Sequence, residues 1–122
     1  MLDHVGFQCA DLERSAAFYD AVLVPLGGRR LLDFKVAIGY GTDHADFWIG
    51  ELNEGEGFRE SHIAFAAADR AAVGAFFRAA VVAGAEVLHE PGLHPEYHEH
   101  YYGAFVRDPD GNNVEAVSHG PA

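Results

Sequence analysis

Three residues, far apart in the chain, have the chemistry of a divalent-metal site: His4, His62 and Glu115. Two neutral imidazoles and one carboxylate suit Fe, Mn, Co, Ni or Zn, without choosing among them. Taken singly, each has a plainer reading. The histidines could be hydrogen-bonded locally at strand starts, and the glutamate could face water from a half-exposed sheet. A second group lies in the segment HPEYHEH, where His94, His98 and His100 follow one another closely. These three could bind a metal of their own. The segment also reads as a lid, with His98, Tyr101 or Tyr102 lining a pocket and able to move a proton.

The elements that must position these residues come from a repeat. HVGFQCADLERSAAFYDAVLV, starting at His4, aligns without a gap on HIAFAAADRAAVGAFFRAAVV, starting at His62, at a constant offset of 58 residues. His4 meets His62, Phe7 meets Phe65 and Asp11 meets Asp69. Two copies are too few for a solenoid, so a pseudo-symmetric pair is expected. Each half begins with a strand, about 2–9 and 60–67. Alternation puts Val5, Phe7 and Cys9 on one face and His4, Gly6 and Gln8 on the other. In the second half Ile63 and Phe65 oppose His62, Ala64 and Ala66. Each histidine thus sits among small neighbours that leave room for a cavity.

Asp11 and Asp69 are expected helix N-caps. Phe18, Tyr19, Val22 and Leu23, then Val73, Phe76, Phe77, Ala80 and Val81, form the stripes of two amphipathic helices. Strands are expected over 29–33, 35–40 and 45–51, and again over 86–89, 101–107 and 112–118. Asp108-Pro109-Asp110-Gly111 supplies the turn between the last two. On the final strand Glu115 lies opposite in sense to Val114 and Ala116, so it points into whatever the other face encloses. The acidic, glycine-rich run at 53–57 reads as a linker and residues 90–100 as a long loop. The expected class is α+β: two β-α-β-β-β modules, about 1–52 and 59–119, in one domain spanning 1–122.

With 19 acidic and 8 basic residues, the formal net charge is −11. Nucleic-acid phosphates would be repelled. No apolar run approaches the roughly 20 residues of a membrane span, and no signal peptide is evident. Cys9 is the single cysteine, which rules out an intrachain disulfide and a cysteine-rich zinc site. A cytoplasmic protein without nucleic-acid or membrane partners is expected.

The stretches LDHVGFQCADLERSAAFYDAVLVPLG, HIAFAAADRAAVGAFFRAAVVAGA and YYGAFVRDPDGNNVEAV resemble the vicinal oxygen chelate superfamily, the glyoxalase, bleomycin-resistance and dioxygenase group. The resemblance implies modules that curl into half-barrels of mixed sheet, with helices on the outer face. It also implies metal ligands on the first and last strands of modules, which carries over to His4, His62 and Glu115. A fourth ligand would come from the last strand of the first module, ADFWIGE. Glyoxalase I-like enzymes place a Glu mid-strand there; this chain departs from that pattern and offers Asp46. Members of this size often pair modules between chains, so a homodimer is implied. The implied function is a glyoxalase-like lyase or isomerase. One divalent ion (Zn, Ni, Co, Mn or Fe) would bind adjacent oxygens of a small substrate. Glu115, His98 and Tyr102 are then the candidate catalytic residues. The alternative is a metal-free sequestering protein of bleomycin-resistance type, holding its ligand through Trp48, Tyr97 and Tyr102.

Overall fold

The computed structural model describes residues 1–51, 57–58 and 60–122. Strand β1 covers Val5–Cys9, helix α1 Leu12–Leu23, and strands β2, β3 and β4 cover Arg29–Asp33, Ala37–Gly41 and Ala45–Glu51. The second half repeats this with β5 (His62–Ala66), α2 (Arg70–Val82), β6 (Val87–Leu93), β7 (Tyr102–Arg107) and β8 (Asn113–Ser118). The β-α-β-β-β repeat is therefore present. Each half forms its own open four-stranded sheet, in the orders β1-β4-β3-β2 and β5-β8-β7-β6. The pairs β1–β4 and β5–β8 are parallel and the others antiparallel. Neither sheet closes into a barrel. The linker reading at 53–57 falls largely outside the described residues.

Both helices start where the aspartates put them. The Asp11 carboxylate accepts from the Arg14 N–H at 3.1 Å, and that of Asp69 from the Ala72 N–H at 2.8 Å. Each cap satisfies one N–H that the first helical turn leaves unpaired. A single 3₁₀ turn, Val24–Leu26, follows α1 and ends at Gly27 with φ of 82°. That left-handed value favours glycine.

Each helix packs on one face of its sheet, and the two helices also meet each other. The buried core runs through both halves without a break. Phe47 of β4 joins them, with its ring 4.9 Å from Tyr19, 5.4 Å from Phe7 and 5.1 Å from Phe65. Phe76 of α2 is fully buried; truncating such a ring to alanine costs about 3–5 kcal/mol. The opposite faces of the sheets lack a helical cover. Phe34 and Tyr97 on that side are each 61% exposed.

The turn from β7 to β8 fastens the halves together. Asp108 is buried, and its carboxylate accepts from the Tyr19 hydroxyl at 2.7 Å, the Asp110 N–H at 3.0 Å, and the Asn112 N–H and Nδ2 at 2.8 and 3.1 Å. Asp110 accepts in turn from the Ala10 N–H and the Ser15 hydroxyl of the first half. The Asn112 amide oxygen accepts from the Ser61 N–H just before β5. Gly111 closes the turn with φ of 97°. Burial, then Asp108, pushes the Tyr19 phenol far above its ordinary value.

Three of the boundary differences from the sequence expectation bear on the site and its loop. β1 begins at Val5, so His4 stands just outside the strand. β3 begins at Ala37 rather than Lys35, whose φ of 71° sits in a turn. β6 runs on to Leu93 through Glu90-Pro91-Gly92, with its register shifting between His89 and Gly92. The proline is accommodated where the ladder is already irregular. The long loop is therefore 94–101.

Candidate functional site

Glu115 lies in the middle of β8, between Ala64 of β5 and Phe105 of β7. Its side chain is 1% exposed and stands on the face away from the helices. Oε1 lies 3.0 Å from His62 Nε2, and Oε2 accepts a short hydrogen bond from the Tyr101 hydroxyl. Burying a carboxylate is costly unless each oxygen finds a partner. Here both oxygens have one, and neither partner is a lysine or an arginine. Gly103 is part of the arrangement. A Cβ at that position would stand 3.1 Å from Glu115 Oε2 and 3.4 Å from the Tyr101 ring.

The cleft over Glu115 measures about 550 Å³ and is lined by His62, His89, His94, Tyr97, Tyr101 and Phe105 among others. His94 Nδ1 lies 3.1 Å from Glu96 Oε1, with its ring stacked on Tyr97 and edge-on to Phe105. His89 meets the same Phe105 ring edge-on at 5.3 Å. Burial and the hydrogen bond to Glu115 raise the Tyr101 phenol well above its ordinary value. In neutral water it therefore keeps its proton and acts as a donor. The Glu96 carboxyl is held below its usual range, by a backbone N–H first and by His94 to a lesser degree.

His62 and Glu115 thus meet, as the sequence reading expects. His4 does not join them within one chain. Its Nδ1 lies 2.6 Å from Asp3, and its side chain is 60% exposed. Among the described residues, no three His, Cys, Asp or Glu side chains are grouped closely enough to hold a metal ion.

Several expectations need correction. Tyr102 belongs to the core face of β7, where its ring packs on buried residues and carries Arg70 5.1 Å above it. Its neighbour Tyr101 takes the pocket side. His98 reaches His119, with Nε2 2.8 Å from Nδ1, rather than Glu115. The imidazoles of the 94–100 segment are dispersed: His94 meets Glu96, His98 meets His119, and His100 lies 3.4 Å from Glu99. They do not make a second metal site.

Asp46 is exposed and is not the counterpart of Glu115. Register decides this. Glu115 pairs with Ala64, whose equivalent 58 residues earlier is Gly6, and Gly6 pairs with Trp48. The first-half position that matches Glu115 therefore holds an indole. Trp48 lies over Gly39, where a Cβ would come within 2.8 Å of the ring, and stacks on Phe34 at 5.8 Å. An indole N–H is a donor only and cannot ligate a cation.

The family model for the glyoxalase/bleomycin resistance protein/dioxygenase superfamily matches residues 1–116. The chain belongs to this superfamily. A glyoxalase/bleomycin resistance protein from Albidiferax ferrireducens is 32% identical and superposes with a TM-score of 0.83, over 93% of this chain and 95% of that one. Lactoylglutathione lyase from Agrobacterium tumefaciens is 20% identical, with a TM-score of 0.69, over 93% and 90% of the two chains. Fosfomycin resistance protein FosX from Mesorhizobium loti is 18% identical, with a TM-score of 0.71, over 98% and 92%. The last two likenesses speak for the fold alone. No curated protein matches the chain. No helix among the described residues is long and apolar enough to cross a membrane.

His62, Glu115 and Tyr101 lie together in the second module, while His4 and Trp48 lie in the first. Sequence reasoning named Tyr101 only as a possible pocket residue, not as the Glu115 partner, and missed His89, which joins the cleft beside Phe105.

Proposed function

We propose that the protein is a glyoxalase-like metalloenzyme acting on a small molecule that offers two adjacent oxygens. The observation that carries this reading is Glu115: a buried carboxylate, aimed into an open cleft, paired only with an imidazole and a phenol. His62 and Glu115 supply two donors. His4, at the matching place in the other module, would supply the third from a second copy of the chain. Their combination of imidazole and carboxylate suits a divalent ion. The uncovered sheet faces, with Phe34 and Tyr97 exposed, give such a second copy a surface to bury. A homodimer with two shared sites follows.

An ion held there supplies Lewis-acid stabilisation of negative charge on substrate oxygen. The chain's own residues do the rest. Tyr101 holds Glu115 by its hydroxyl and keeps its proton at neutral pH. His94, which lines the cleft with Nδ1 engaged by Glu96, is the imidazole placed to move a proton. Phe105 and Tyr97 line the cleft and narrow the access of water. A cleft of about 550 Å³ suits a small substrate such as a 2-oxoaldehyde hemithioacetal.

A second reading has its own observation. Trp48 occupies the position matching Glu115, stacked on an exposed Phe34, and aromatic surface of this kind holds a hydrophobic ligand without a metal. Turnover decides between the readings. Metal-loaded protein should convert at least one member of a panel of 2-oxoaldehyde hemithioacetals, and Glu115→Gln should abolish this. No turnover, together with tight binding of a hydrophobic cation that quenches Trp48 fluorescence, would establish the sequestering protein instead.

A further inference from the structure

The pairing of His98 with His119 has a proton arrangement that its partners dictate. The His100 N–H donates to His98 Nδ1 at 3.1 Å, so that nitrogen must carry a lone pair. In the neutral ring the proton then sits on Nε2, which faces His119 Nδ1 at 2.8 Å. His119 accepts there and keeps its own proton on Nε2. Donors and acceptors alternate along this line of four nitrogens, starting from a backbone N–H whose role is fixed. The ring planes are 24° apart and the centroids 5.1 Å, a separation that fits an in-line N–H···N bond.

This bond links the 94–101 loop to the residue after β8. The Tyr101 ring sits edge-on to both imidazoles, at 5.6 Å from His98 and 5.3 Å from His119. The loop itself closes through the His94 N–H to the Tyr101 carbonyl and the Tyr101 N–H to the His98 carbonyl. The hydroxyl of the same tyrosine holds Glu115.

We propose that His98 and His119 form a clasp of neutral imidazoles that positions Tyr101 against Glu115. They are positioning residues, since neither reaches the cleft. The clasp itself stands on the contacts above; its effect on metal binding rests on the function proposed for Glu115. An added proton weakens it whichever ring takes it. Protonated at Nδ1, His98 turns an N–H toward the His100 N–H. Protonated at Nδ1, His119 turns an N–H toward that of His98, and shifting the His98 proton to Nδ1 only moves the conflict to His100. The other titratable groups facing the pair are Tyr101, whose proton is engaged by Glu115, and Glu99 beside His100. The clasp is therefore closed while both rings are neutral and opens when either takes a second proton.

The test is NMR amide exchange on the full chain, with nitrogen-15 shifts of the histidine rings. At pH 7 the Tyr101 and His100 amides should be about fivefold less protected in His119→Ala, the equivalent of one net hydrogen bond. His119→Asn, whose amide oxygen replaces Nδ1 as acceptor, should restore protection to within about twofold of wild type. A His119→Ala protein as protected as wild type would overturn the clasp, as would a His98 Nδ1 found protonated at pH 7. So would an asparagine variant as loose as the alanine one, since packing rather than the bond would then hold the loop. Cobalt titration of the same proteins reads the functional arm separately. His119→Ala should lower cobalt affinity several-fold at unchanged stoichiometry. Unchanged affinity would overturn the link to Glu115. A wild-type protein that binds no cobalt would refute the metal reading, while amide protection still decides the clasp.

Discussion

Replacing Asp108 by alanine should be among the most destabilising single changes in the chain. The carboxylate is 5% exposed and accepts from four donors: the Tyr19 hydroxyl, two backbone N–H groups and the Asn112 amide. Alanine removes every acceptor at once. The turn's two N–H groups can relax toward water, but the Tyr19 hydroxyl cannot, because Tyr19 is fully buried behind α1. Leaving a buried donor unpaired costs about 1–3 kcal/mol, and loss of each further bond about 0.5–1.5 kcal/mol. The expected loss is about 3–5 kcal/mol, a large share of the roughly 5–15 kcal/mol that a domain of this size possesses. Tyr19→Phe removes one bond and leaves Asp108 three donors, so about 1–2 kcal/mol is expected. The double variant should cost little more than Asp108→Ala alone, since the two residues share the bond. Urea unfolding followed by circular dichroism measures all three. A loss below about 1 kcal/mol for Asp108→Ala, or strict additivity in the double variant, would refute the view that this turn holds the modules together.

Gly39→Ala should force Trp48 off the strand, because the new Cβ would come within 2.8 Å of both the indole and Ala45; overpacking of this kind costs about 1–3 kcal/mol. Trp48 is the chain's one tryptophan, so its emission spectrum reports the shift directly. Burial pushes the Cys9 thiol up to about 11, so thiol reagents at pH 8 should label native protein only as fast as it unfolds. Burial and carboxylate partners raise the phenols of Tyr19, Tyr40 and Tyr101. A raised phenol favours the protonated folded form. The stability it contributes is complete below the ordinary tyrosine value, about 10, and is lost as pH rises through the folded value. Alkaline titration at 295 nm should show these three ionising together with unfolding, and Tyr19→Phe should reduce the amplitude of that step.

Much of the fold is written in the chain because both helices have a local signal for their start and a periodic signal for their face. Asp11 and Asp69 cap where they are expected to, and the 58-residue offset predicts two equal modules. The site is harder to read because it depends on strand register, which no local pattern specifies. A four-residue turn at 108–111 would pair Arg107 with Asn112 and put Tyr102 on the Glu115 face. Instead the turn encloses five residues, with the Asp108 N–H bonded to the Asn112 carbonyl, and Arg107 pairs with Asn113. One added residue reverses which tyrosine faces the cleft. The same dependence hides the role of Trp48, whose match to Glu115 appears only through two parallel pairings. His119 bears no periodic signal, and its link to His98 spans 21 residues between exposed segments.

The account turns on whether His62 and Glu115 hold a metal ion. Cobalt titration of tag-free protein, monitored by visible absorption and by isothermal calorimetry, tests this most directly. One ion per chain is predicted, with d–d bands of nitrogen and oxygen ligation. Glu115→Gln, His62→Ala and His4→Ala should each weaken binding severely. Binding of one ion per chain, lost alike in His4→Ala and Glu115→Gln, supports a site shared between copies. Wild-type protein that binds no cobalt, or binds it equally well without Glu115, would contradict the account.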